Sequence, residues 1–252
     1  MEGERAGAAS EGLISIEARP HPVSMDPRRA AVIVVDMEND FGAVGGMFHR
    51  AGLDISGIQA AIAPTARVLE AARRAGIPVV YLAMAFRPDL SDIGPEGAPN
   101  RDRHLFFGAG QSVDTPDGTK GRVLIRDTWN TEIVSELQPA PNDTVLYKHR
   151  FSGFFETELD ARLRSIGATD LIFTGCTTSV CVESTIRDAM FRDYRCLLLE
   201  DCTAEPIGDG LARTNHEASL LVIETLFAWV SHSEELIEAL ERNAVGVEAP
   251  VT

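Results

Sequence analysis

The sequence predicts an α/β protein with a parallel sheet of about six strands and helices on both faces. Two observations predict this class. Short apolar runs alternate along the chain with stretches of helical periodicity, which is typical of repeated β-α-β units. The first run, Ala30–Val35, is almost continuously apolar and rich in β-branched residues, as expected of a strand buried on both faces. Right-handed crossovers between such strands place helices on each side of the sheet.

The predicted elements follow one another in a regular order. The strand Ala30–Val35 precedes a helix at 64–75, where Val68 and Ala72 lie on one face and Gly76 is placed as the C-cap. The other helices and strands have the same apolar periodicities. Further strands are predicted at 77–84, 144–148, 170–174, 196–199 and 228–230, and further helices between Thr157 and Gly167 and at 180–192, 215–225 and 234–240.

The chain of 252 residues is long enough for one domain of this class, which we expect at 28–245. Residues 1–27 are rich in Glu, Gly, Ala and Pro and lack the apolar stretch of a signal peptide, so they predict a loose or wrapping N-terminal arm. Residues 246–252 form a short C-terminal tail in this interpretation. Inside the domain, residues 87–122 carry many Gly, Pro and Asp, and a loop of that length is usually functional or a lid.

Composition limits the classes of partner. The net charge is −15, whereas nucleic-acid binding depends on clustered Lys and Arg, so we expect no nucleic-acid partner. No apolar run is long enough to span a bilayer, and we expect no membrane partner. Four cysteines without metal-ligand spacing favour free thiols in a reducing cytoplasm. The partner expected from these features is a small-molecule substrate.

Three chemically active side chains follow predicted strands. Asp36 ends the first strand, Lys148 ends the strand at 144–148, and Cys181 follows the strand at 170–174. Ligands of parallel α/β sheets bind beyond the carboxyl ends of the strands, so these residues form a candidate catalytic trio. Taken singly, each has a commoner structural role, as a turn residue, a solvated cation and a small buried hydrophobe.

Their chemistry suits nucleophilic catalysis. Cys181 lies near a predicted helix start, and that partial positive charge, together with Lys148, is expected to lower the thiol pKa. Asp36 can accept the thiol proton and later deliver it to a leaving amine. The backbone N–H groups of Thr177 and Cys181 are candidates for the oxyanion site.

The segments DMEND (36–40) and GCTTSVCVEST (175–185), together with Lys148, resemble the signatures of the isochorismatase-like cysteine hydrolases. The resemblance covers roughly residues 18–240. It implies a Rossmann-like core, an Asp36–Lys148–Cys181 triad, a cis peptide between Cys176 and Thr177 that turns the Thr177 N–H into the oxyanion site, and a homo-oligomer, either a dimer or a tetramer. No metal and no cofactor are expected, because the histidines show no ligand spacing and the nicotinamidase-type Asp-x-His cluster is missing at 83–87.

Within that family the chain resembles the ureidoacrylate amidohydrolases most, through segments such as 18–40, 151–160 and 222–231. The resemblance implies cleavage of a C–N bond of a ureido, carbamoyl or amide compound through a covalent thiocarbamate or thioester intermediate. Other segments, such as 87–92 and 121–127, resemble biuret hydrolases, although Ile223 and Glu224 occupy the region where those enzymes use a glutamine. Biuret hydrolysis is therefore the alternative.

The substrate-binding side chains are expected near the trio. Apolar residues replace polar groups of the ureidoacrylate pattern, which removes hydrogen bonds that would read a ureido or carboxylate end. Arg87, Arg103 and Arg150 are candidates for binding a substrate carboxylate. The candidate substrate-binding residues are Asn39, Phe41, Met84, Phe86, Arg87 and Phe151.

Two alternatives of other kinds remain open. True isochorismatases hydrolyse a vinyl ether and lack the nucleophilic cysteine, so Cys181 disfavours that reaction. A non-catalytic binding protein on the same fold is also possible, although degenerate members usually lose part of the triad and none is lost here.

Overall fold

The computed structural model describes residues 12–247 of the chain, with side chains described through residue 244. A six-stranded parallel sheet lies at its centre, and two short antiparallel pairs, β1–β2 and β5–β6, lie outside it. The strands in chain order are β1 (Ile14–Ile16), β2 (Val23–Met25), β3 (Ala30–Val35), β4 (Val79–Met84), β5 (Ser112–Asp114), β6 (Lys120–Arg122), β7 (Thr144–Lys148), β8 (Asp170–Cys176), β9 (Arg195–Ala204) and β10 (Trp229–Ser231).

Helices cover both faces of the central sheet, which confirms the predicted fold class. Successive strands of the central sheet are joined by crossover segments that return the chain to the same end of the sheet. The helices in chain order are α1 (Asn39–Gly42), α2 (Met47–Arg50), α3 (Ser56–Arg74), α4 (Pro99–Phe106), α5 (Leu159–Ser165), α6 (Glu183–Met190), α7 (Asn215–Leu226) and α8 (Ser233–Val247).

Strand β3 shows how the two faces are filled. All six of its residues are buried, and alternate side chains enter two different apolar cores. Val32 and Val34 pack on the face that α3 and α8 cover. Ile33 and Val35 pack on the opposite face, which α5, α6 and α7 cover. This explains the almost continuous apolar run, because no face of the strand meets water.

The order of strands in the sheet places the site. The order is β10-β9-β8-β3-β4-β7, and all neighbours are parallel. After β3 the chain builds outward through β4 and β7, then returns to add β8 on the other side of β3. Such a reversal opens a crevice at the carboxyl ends of the two strands that flank it. The segments that follow β3 and β8 carry Asp36 and Cys181.

The N-terminal arm wraps the sheet over the part that is described. Its hairpin buries Ile14, Ile16, Val23 and Met25 against the core. Arg19 forms an antiparallel bridge with Val230 of β10, with N–O distances of 2.8 and 3.0 Å. Residues 1–11 and 248–252 lie outside the described residues, so the first half of the arm and most of the predicted tail are not placed.

Some element boundaries differ from those predicted. Helix α3 begins at Ser56 rather than near Pro64, because burial of Ile58 and Ala61 carries the helix across the missing N–H of the proline. The segment 87–122 contains helix α4 and the β5–β6 hairpin, so it is not a structureless loop. Strand β9 continues to Ala204, beyond the predicted end at 199. None of the helices within 12–247 has the length and apolar character needed to cross a membrane.

Candidate active site

Asp36, Lys148 and Cys181 meet at the carboxyl edge of the sheet. Their relative exposures are 1%, 0% and 6%, so the three polar groups are almost completely removed from water. Lys148 Nζ lies 2.8 Å from Asp36 Oδ2 in a buried ion pair. The Cys181 thiol is close enough to both side chains for each to perturb its pKa. The geometry therefore brings together the trio that the strand-end argument selects.

The backbone of Asp36 is held from two sides. Its N–H donates to Leu82 O at 2.8 Å, and its carbonyl accepts from the Cys176 thiol at 3.2 Å. Its φ is 50°, a left-handed conformation that aspartate tolerates better than most residues with a side chain. The turn ends β3 and directs the carboxylate away from the strand ladder.

The side chain of Lys148 extends across the end of β4 to reach Asp36. It lies opposite Met84 in the β4–β7 register, so β4 separates its backbone from β3. Its Nζ lies 3.6 Å from Met84 Sδ and donates to Arg150 O at 3.3 Å. A long side chain is needed at this position because the ammonium must extend past one whole strand.

Cys181 lies on a π-helical turn, Thr178–Val182, which continues into α6. The N–H groups of Val180 and Val182 both donate to Thr177 O, at 3.1 and 3.2 Å. The Ser179 N–H donates to Glu205 Oε2 at 3.1 Å, so the carboxylate that follows β9 holds the start of the turn. The predicted helix at 180–192 is therefore a π-helical turn joined to a shorter α-helix, an arrangement found often at functional sites.

The peptide between Cys176 and Thr177 is cis, as the family resemblance implies. Within residues 12–247 the Thr177 N–H has no hydrogen-bond partner, so it is free to donate to a bound group. Gly175 precedes this peptide with a φ of 112°, and a Cβ there would lie 2.0 Å from Val35 O. Only glycine allows β8 to approach β3 this closely.

The pKa of the Cys181 thiol is shifted in the direction opposite to the predicted one. Burial raises the pKa of the Cys181 thiol well above its usual value, and the Asp36 carboxylate raises it further while Lys148 opposes the rise. Lys148 lowers the pKa of the thiol as predicted, but the predicted net decrease is wrong, because burial and Asp36 raise the pKa by more. Removal from water outweighs one neighbouring cation when an anion also lies beside the thiol.

The other two groups remain an ion pair. Burial raises the pKa of Asp36, while Lys148 opposes that rise. Burial alone would lower the pKa of Lys148, but Asp36 and Cys181 outweigh it, and the net pKa lies above the usual value. Ionising Cys181 beside an ionised Asp36 would leave a net negative charge in the protein interior, which is costly. Transfer of the thiol proton to Asp36 keeps the trio neutral.

Two further carboxyl groups of the segment 36–40 are buried near Asp36. Asp40 accepts hydrogen bonds from Met47 N, Leu124 N and Asn130 Nδ2. Glu38 is fully buried, and among the described residues neither of its carboxyl oxygens makes a hydrogen bond of ordinary geometry. Burial, followed by the charges of Asp36 and Asp40, raises the pKa of Glu38 well above its usual value, which favours the neutral acid form of this carboxyl group.

A cavity of about 200 Å³ opens at the Cys181 thiol. Most of its lining is apolar, and the predicted site residues Phe41, Met84, Phe151 and Thr177 all belong to it. Arg103 is the one fully charged side chain in that lining. The other lining residues are Met47, Phe48, His104, Phe107, Val180, Cys181 and Ile207.

Three predicted substrate-binding residues lie outside this cavity, which corrects the prediction. The Asn39 amide donates to Trp129 O at 2.8 Å and lines a different surface pocket. Phe86 is fully buried behind the cavity wall, with its ring edge-on to His104. Arg87 lines a separate cleft together with Arg150, so Arg103 is the candidate arginine that lies at the thiol cavity.

That separate cleft is larger, about 760 Å³, and is lined by charged residues along β7. Arg126 binds Asp92 there at 3.1 Å, and Arg150 donates to Asp92 O at 2.9 Å. Its charged groups therefore already have protein partners. Among residues 12–247, no group of three or more His, Cys, Asp or Glu side chains is arranged to hold a metal ion.

Sequence reasoning missed three residues. Glu205 follows β9 directly and could have been found by the same strand-end rule that selects Asp36. Glu38 lies inside the segment that carries Asp36 and could have been flagged by its position. His104 gives no sequence signal, because its segment lacks periodicity and its helix is short.

Comparisons with known proteins agree with this architecture. Residues 30–235 match the Isochorismatase domain family. The ureidoacrylate amidohydrolase RutB of Methylobacterium radiotolerans is 39% identical over 229 residues, covering 91% of this chain and 86% of that protein. The ureidoacrylate amidohydrolase RutB of Caulobacter segnis is 40% identical over 222 residues, covering 88% of this chain and 90% of that protein.

Solved structures give the same result. A cysteine hydrolase from Pseudomonas syringae pv. phaseolicola has a TM-score of 0.73 at 31% identity, covering 87% of this chain and 95% of that one. The N-carbamoylsarcosine amidase from Thermoplasma acidophilum has a TM-score of 0.60 at 27% identity, covering 82% and 97%. The family match spans most of the chain, and the relatives match over nearly their whole length. The chain belongs to the isochorismatase family and is a hydrolase.

Proposed function

We propose that the protein is a cysteine-dependent amidohydrolase that cleaves a C–N bond of a small ureido, carbamoyl or amide compound. The observation that carries the proposal is the buried trio of Asp36, Lys148 and Cys181, whose thiol member lines a small cavity. A thiol, a proton acceptor and a fixed ammonium in contact are the groups that acyl transfer to cysteine requires. Relatives named as amidohydrolases and as an amidase support this reaction class.

The first half of the reaction forms a covalent intermediate. Asp36 takes the thiol proton as Cys181 Sγ attacks the carbonyl carbon, and the carbonyl π electrons move to oxygen. The Lys148 ammonium and the Thr177 N–H stabilise that oxyanion, with the Cys181 N–H as a second candidate backbone donor. Asp36 then gives its proton to the leaving nitrogen as the C–N bond breaks. A thioester or thiocarbamate remains on Cys181.

The second half regenerates the thiol. Water attacks the carbonyl carbon of the intermediate while Asp36 takes one of its protons. The C–S bond breaks, the acid or carbamate leaves, and the proton on Asp36 returns to Cys181. The buried position of Asp36 suits this role, because burial raises the pKa of the carboxyl group and so makes it a better acceptor for the thiol proton.

A ureidoacrylate-type compound is the first substrate candidate. The relatives named as ureidoacrylate amidohydrolases are 39–40% identical over about nine tenths of this chain. Arg103 at the cavity suits a carboxylate carried by such a compound, and its guanidinium has no carboxylate partner among the described residues. The apolar lining of the cavity suits the short unsaturated carbon chain of such a compound.

An uncharged linear amide or ureide, such as biuret, is the second candidate. The observation that favours it is the lining itself, since Met84 and Phe151 stand where polar side chains would read a charged substrate. A cavity walled by apolar groups favours a compact neutral molecule over an anion, unless Arg103 provides the counter-charge.

The test is release of ammonia from a panel of ureidoacrylate, biuret, N-carbamoyl amino acids and simple amides. The native protein should hydrolyse at least one of them, and Cys181→Ser should lower kcat/KM by about 10³-fold or more, because the alcohol is a far weaker nucleophile here. Cys196→Ser is the matched control, since that thiol is also buried but lies outside the cavity, and it should leave turnover unchanged.

Turnover that survives in Cys181→Ser would contradict the cysteine mechanism. A native protein that hydrolyses nothing in the panel, and whose Cys181 reacts with a thiol reagent no faster than Cys196, would favour a non-catalytic binding protein. The homo-oligomer and the cytoplasmic location remain predictions, and the exposed apolar side chains of Phe191 and Leu226 support the first of them.

A further inference from the structure

His104 is a buried polar group that the mechanism above does not use. It lies on α4 with a relative exposure of 8% and lines the cavity that opens at Cys181. Its ring packs edge-on against Phe86, with centroids 5.1 Å apart, and lies 5.5 Å from the ring of Phe151. An imidazole held between two aromatic rings has a fixed plane and a fixed position relative to the cavity.

The hydrogen bonding of the ring determines its tautomer. Nδ1 lies 2.6 Å from Asn100 O in the same helix. A carbonyl oxygen can only accept, so Nδ1 carries the proton and Nε2 is left as a lone-pair acceptor. Among the described residues the hydrogen bond of the His104 ring is that of Nδ1 to Asn100 O, and Nε2 makes none. Because Nδ1 faces the helix of His104 itself, Nε2 is on the side of the ring turned away from that helix.

The ring is also neutral. Burial lowers the pKa of His104 to about 4, with Lys148 and Arg150 contributing and the Asn100 carbonyl opposing. The ring lies in the wall of the same cavity as the Cys181 thiol. At neutral pH the lining of this cavity therefore includes a neutral ring with one acceptor nitrogen, that of His104, and a residue with a free backbone donor, Thr177.

We propose that His104 Nε2 accepts a hydrogen bond from an N–H of the amide or ureido group whose carbonyl is attacked by Cys181. This rests on the proposed function and adds a specificity-determining residue to it. An amide presents a carbonyl oxygen and an N–H on neighbouring atoms, and the cavity offers one donor and one acceptor to match them. The substrate class is then a linear amide or ureide with at least one N–H on that group, while fully N-substituted amides are rejected.

Alkylation of Cys181 tests, without needing turnover, whether His104 recognises an amide N–H beside the thiol. The thiol attacks the CH₂ carbon of the reagent, so the reagent's amide group lies one bond further from Sγ than that of a substrate. The reagents are 2-chloroacetamide and its N,N-dimethyl derivative, with rates at the Cys181 peptide followed by mass spectrometry and divided by those of free cysteine. The native protein should prefer the N–H reagent. In His104→Phe the preference should fall by about 3- to 10-fold, the value of one net hydrogen bond. Phenylalanine keeps the ring, so a preference due only to the bulk of the methyl groups would persist.

Two further variants complete the design. His104→Gln retains a side-chain acceptor and should recover part of the preference, and a folded His104→Gln also covers the case in which His104→Phe does not fold. His21→Phe, on the N-terminal arm and outside the cavity, should behave like the native protein. Thermal unfolding of each variant checks that it is folded.

The outcomes separate the two claims. An equal preference in native protein and His104→Phe, or a native preference no larger than that of free cysteine, overturns the role of His104. A preference that is lost in His104→Phe while no compound of the panel is hydrolysed keeps His104 as an acceptor for an amide N–H at the thiol cavity and rejects the proposed hydrolysis. Among hydrolysed substrates, the variant should lower kcat/KM for N–H amides and leave the slow turnover of their N,N-dimethyl analogues unchanged.

Discussion

Asp36 and Asp40 belong to one short segment and are equally buried, yet their surroundings differ completely. Asp40 accepts three hydrogen bonds, from Met47 N at 2.9 Å and from Leu124 N and Asn130 Nδ2 at 2.7 Å. Asp36 makes no hydrogen bond of ordinary geometry among the described residues and has the Lys148 ammonium at 2.8 Å instead.

The difference shows how a structural carboxylate can be distinguished from a reactive one. The donors around Asp40 use its lone pairs to connect helix α2 and the segment 124–130 to helix α1, so the group can change protonation only by breaking that network. Asp36 has lone pairs that are not occupied in this way and lies close to a thiol proton. Both carboxylates are buried. They differ in whether their oxygen lone pairs already accept hydrogen bonds from the protein.

The largest effect is expected for Asp36→Asn. An amide can neither take the Cys181 proton nor protonate the leaving nitrogen, so kcat/KM should fall by about 10³-fold or more. Steady-state hydrolysis of the best panel substrate, divided by the folded fraction from circular dichroism, measures it. The variant also leaves Lys148 without its counter-charge, so a loss of stability is expected besides. Activity within tenfold of native per folded molecule would remove Asp36 from the mechanism.

Asp40→Asn should show the opposite profile. The asparagine NH₂ group replaces a carboxylate oxygen that accepts a hydrogen bond, so it faces an N–H donor with which it cannot pair. The free energy of unfolding should therefore fall by about 2–4 kcal/mol. Urea unfolding at pH 7 measures that loss. Turnover per folded molecule should stay within a few-fold of native, because Asp40 does not line the thiol cavity. A stable variant without turnover would break the distinction drawn between the two carboxylates.

Glu38, between the two aspartates, gives the smallest and most pH-dependent effect. Its pKa is raised in the folded protein, so above the usual glutamate value the unfolded chain loses this proton while the folded chain keeps it. Stability therefore falls as pH rises through that window, by about 1.4 kcal/mol per pH unit. Glu38→Gln removes the titrating group, and its stability relative to native should increase with pH between 5 and 7.

Urea unfolding at pH 5, 6 and 7 measures the difference between Glu38→Gln and native protein. Glu132→Gln, at an exposed side chain, is the control and should show no such trend. A constant difference across the three pH values would mean that Glu38 is ionised in the folded protein, which would contradict a neutral Glu38 beside Asp36.

The sequence alone predicts that Asp36, Lys148 and Cys181 lie together, because one topological rule determines their place in the sheet. Parallel strands with almost continuous apolar character place their carboxyl ends at a single edge, and Asp36, Lys148 and Cys181 each follow such a strand. The sequence could not show that Lys148 reaches past β4, since strand order in the sheet depends on tertiary pairing.

The remaining site features depend on side-chain direction and on desolvation. Asn39 and Arg87 lie close in sequence to residues of the cavity but turn toward Trp129 and toward the β7 cleft. The sign of the Cys181 pKa shift required knowing that the whole trio is out of water. His104 comes from a segment whose composition resembles a loop, and only its packing between Phe86 and Phe151 makes it a candidate.

The bridge between Arg19 and Val230 has a consequence for handling the protein. Strand β10 is at one margin of the sheet and is three residues long, so its outer backbone groups would be open to pairing with any other chain. The arm occupies those groups, and its Arg19 side chain also pairs with Glu200 and Glu224 at 2.8 Å. A shortened protein that starts at residue 28, where the family match nearly begins, would lack this arm and leave the edge of β10 exposed. A shortened protein that starts before residue 13 keeps the arm.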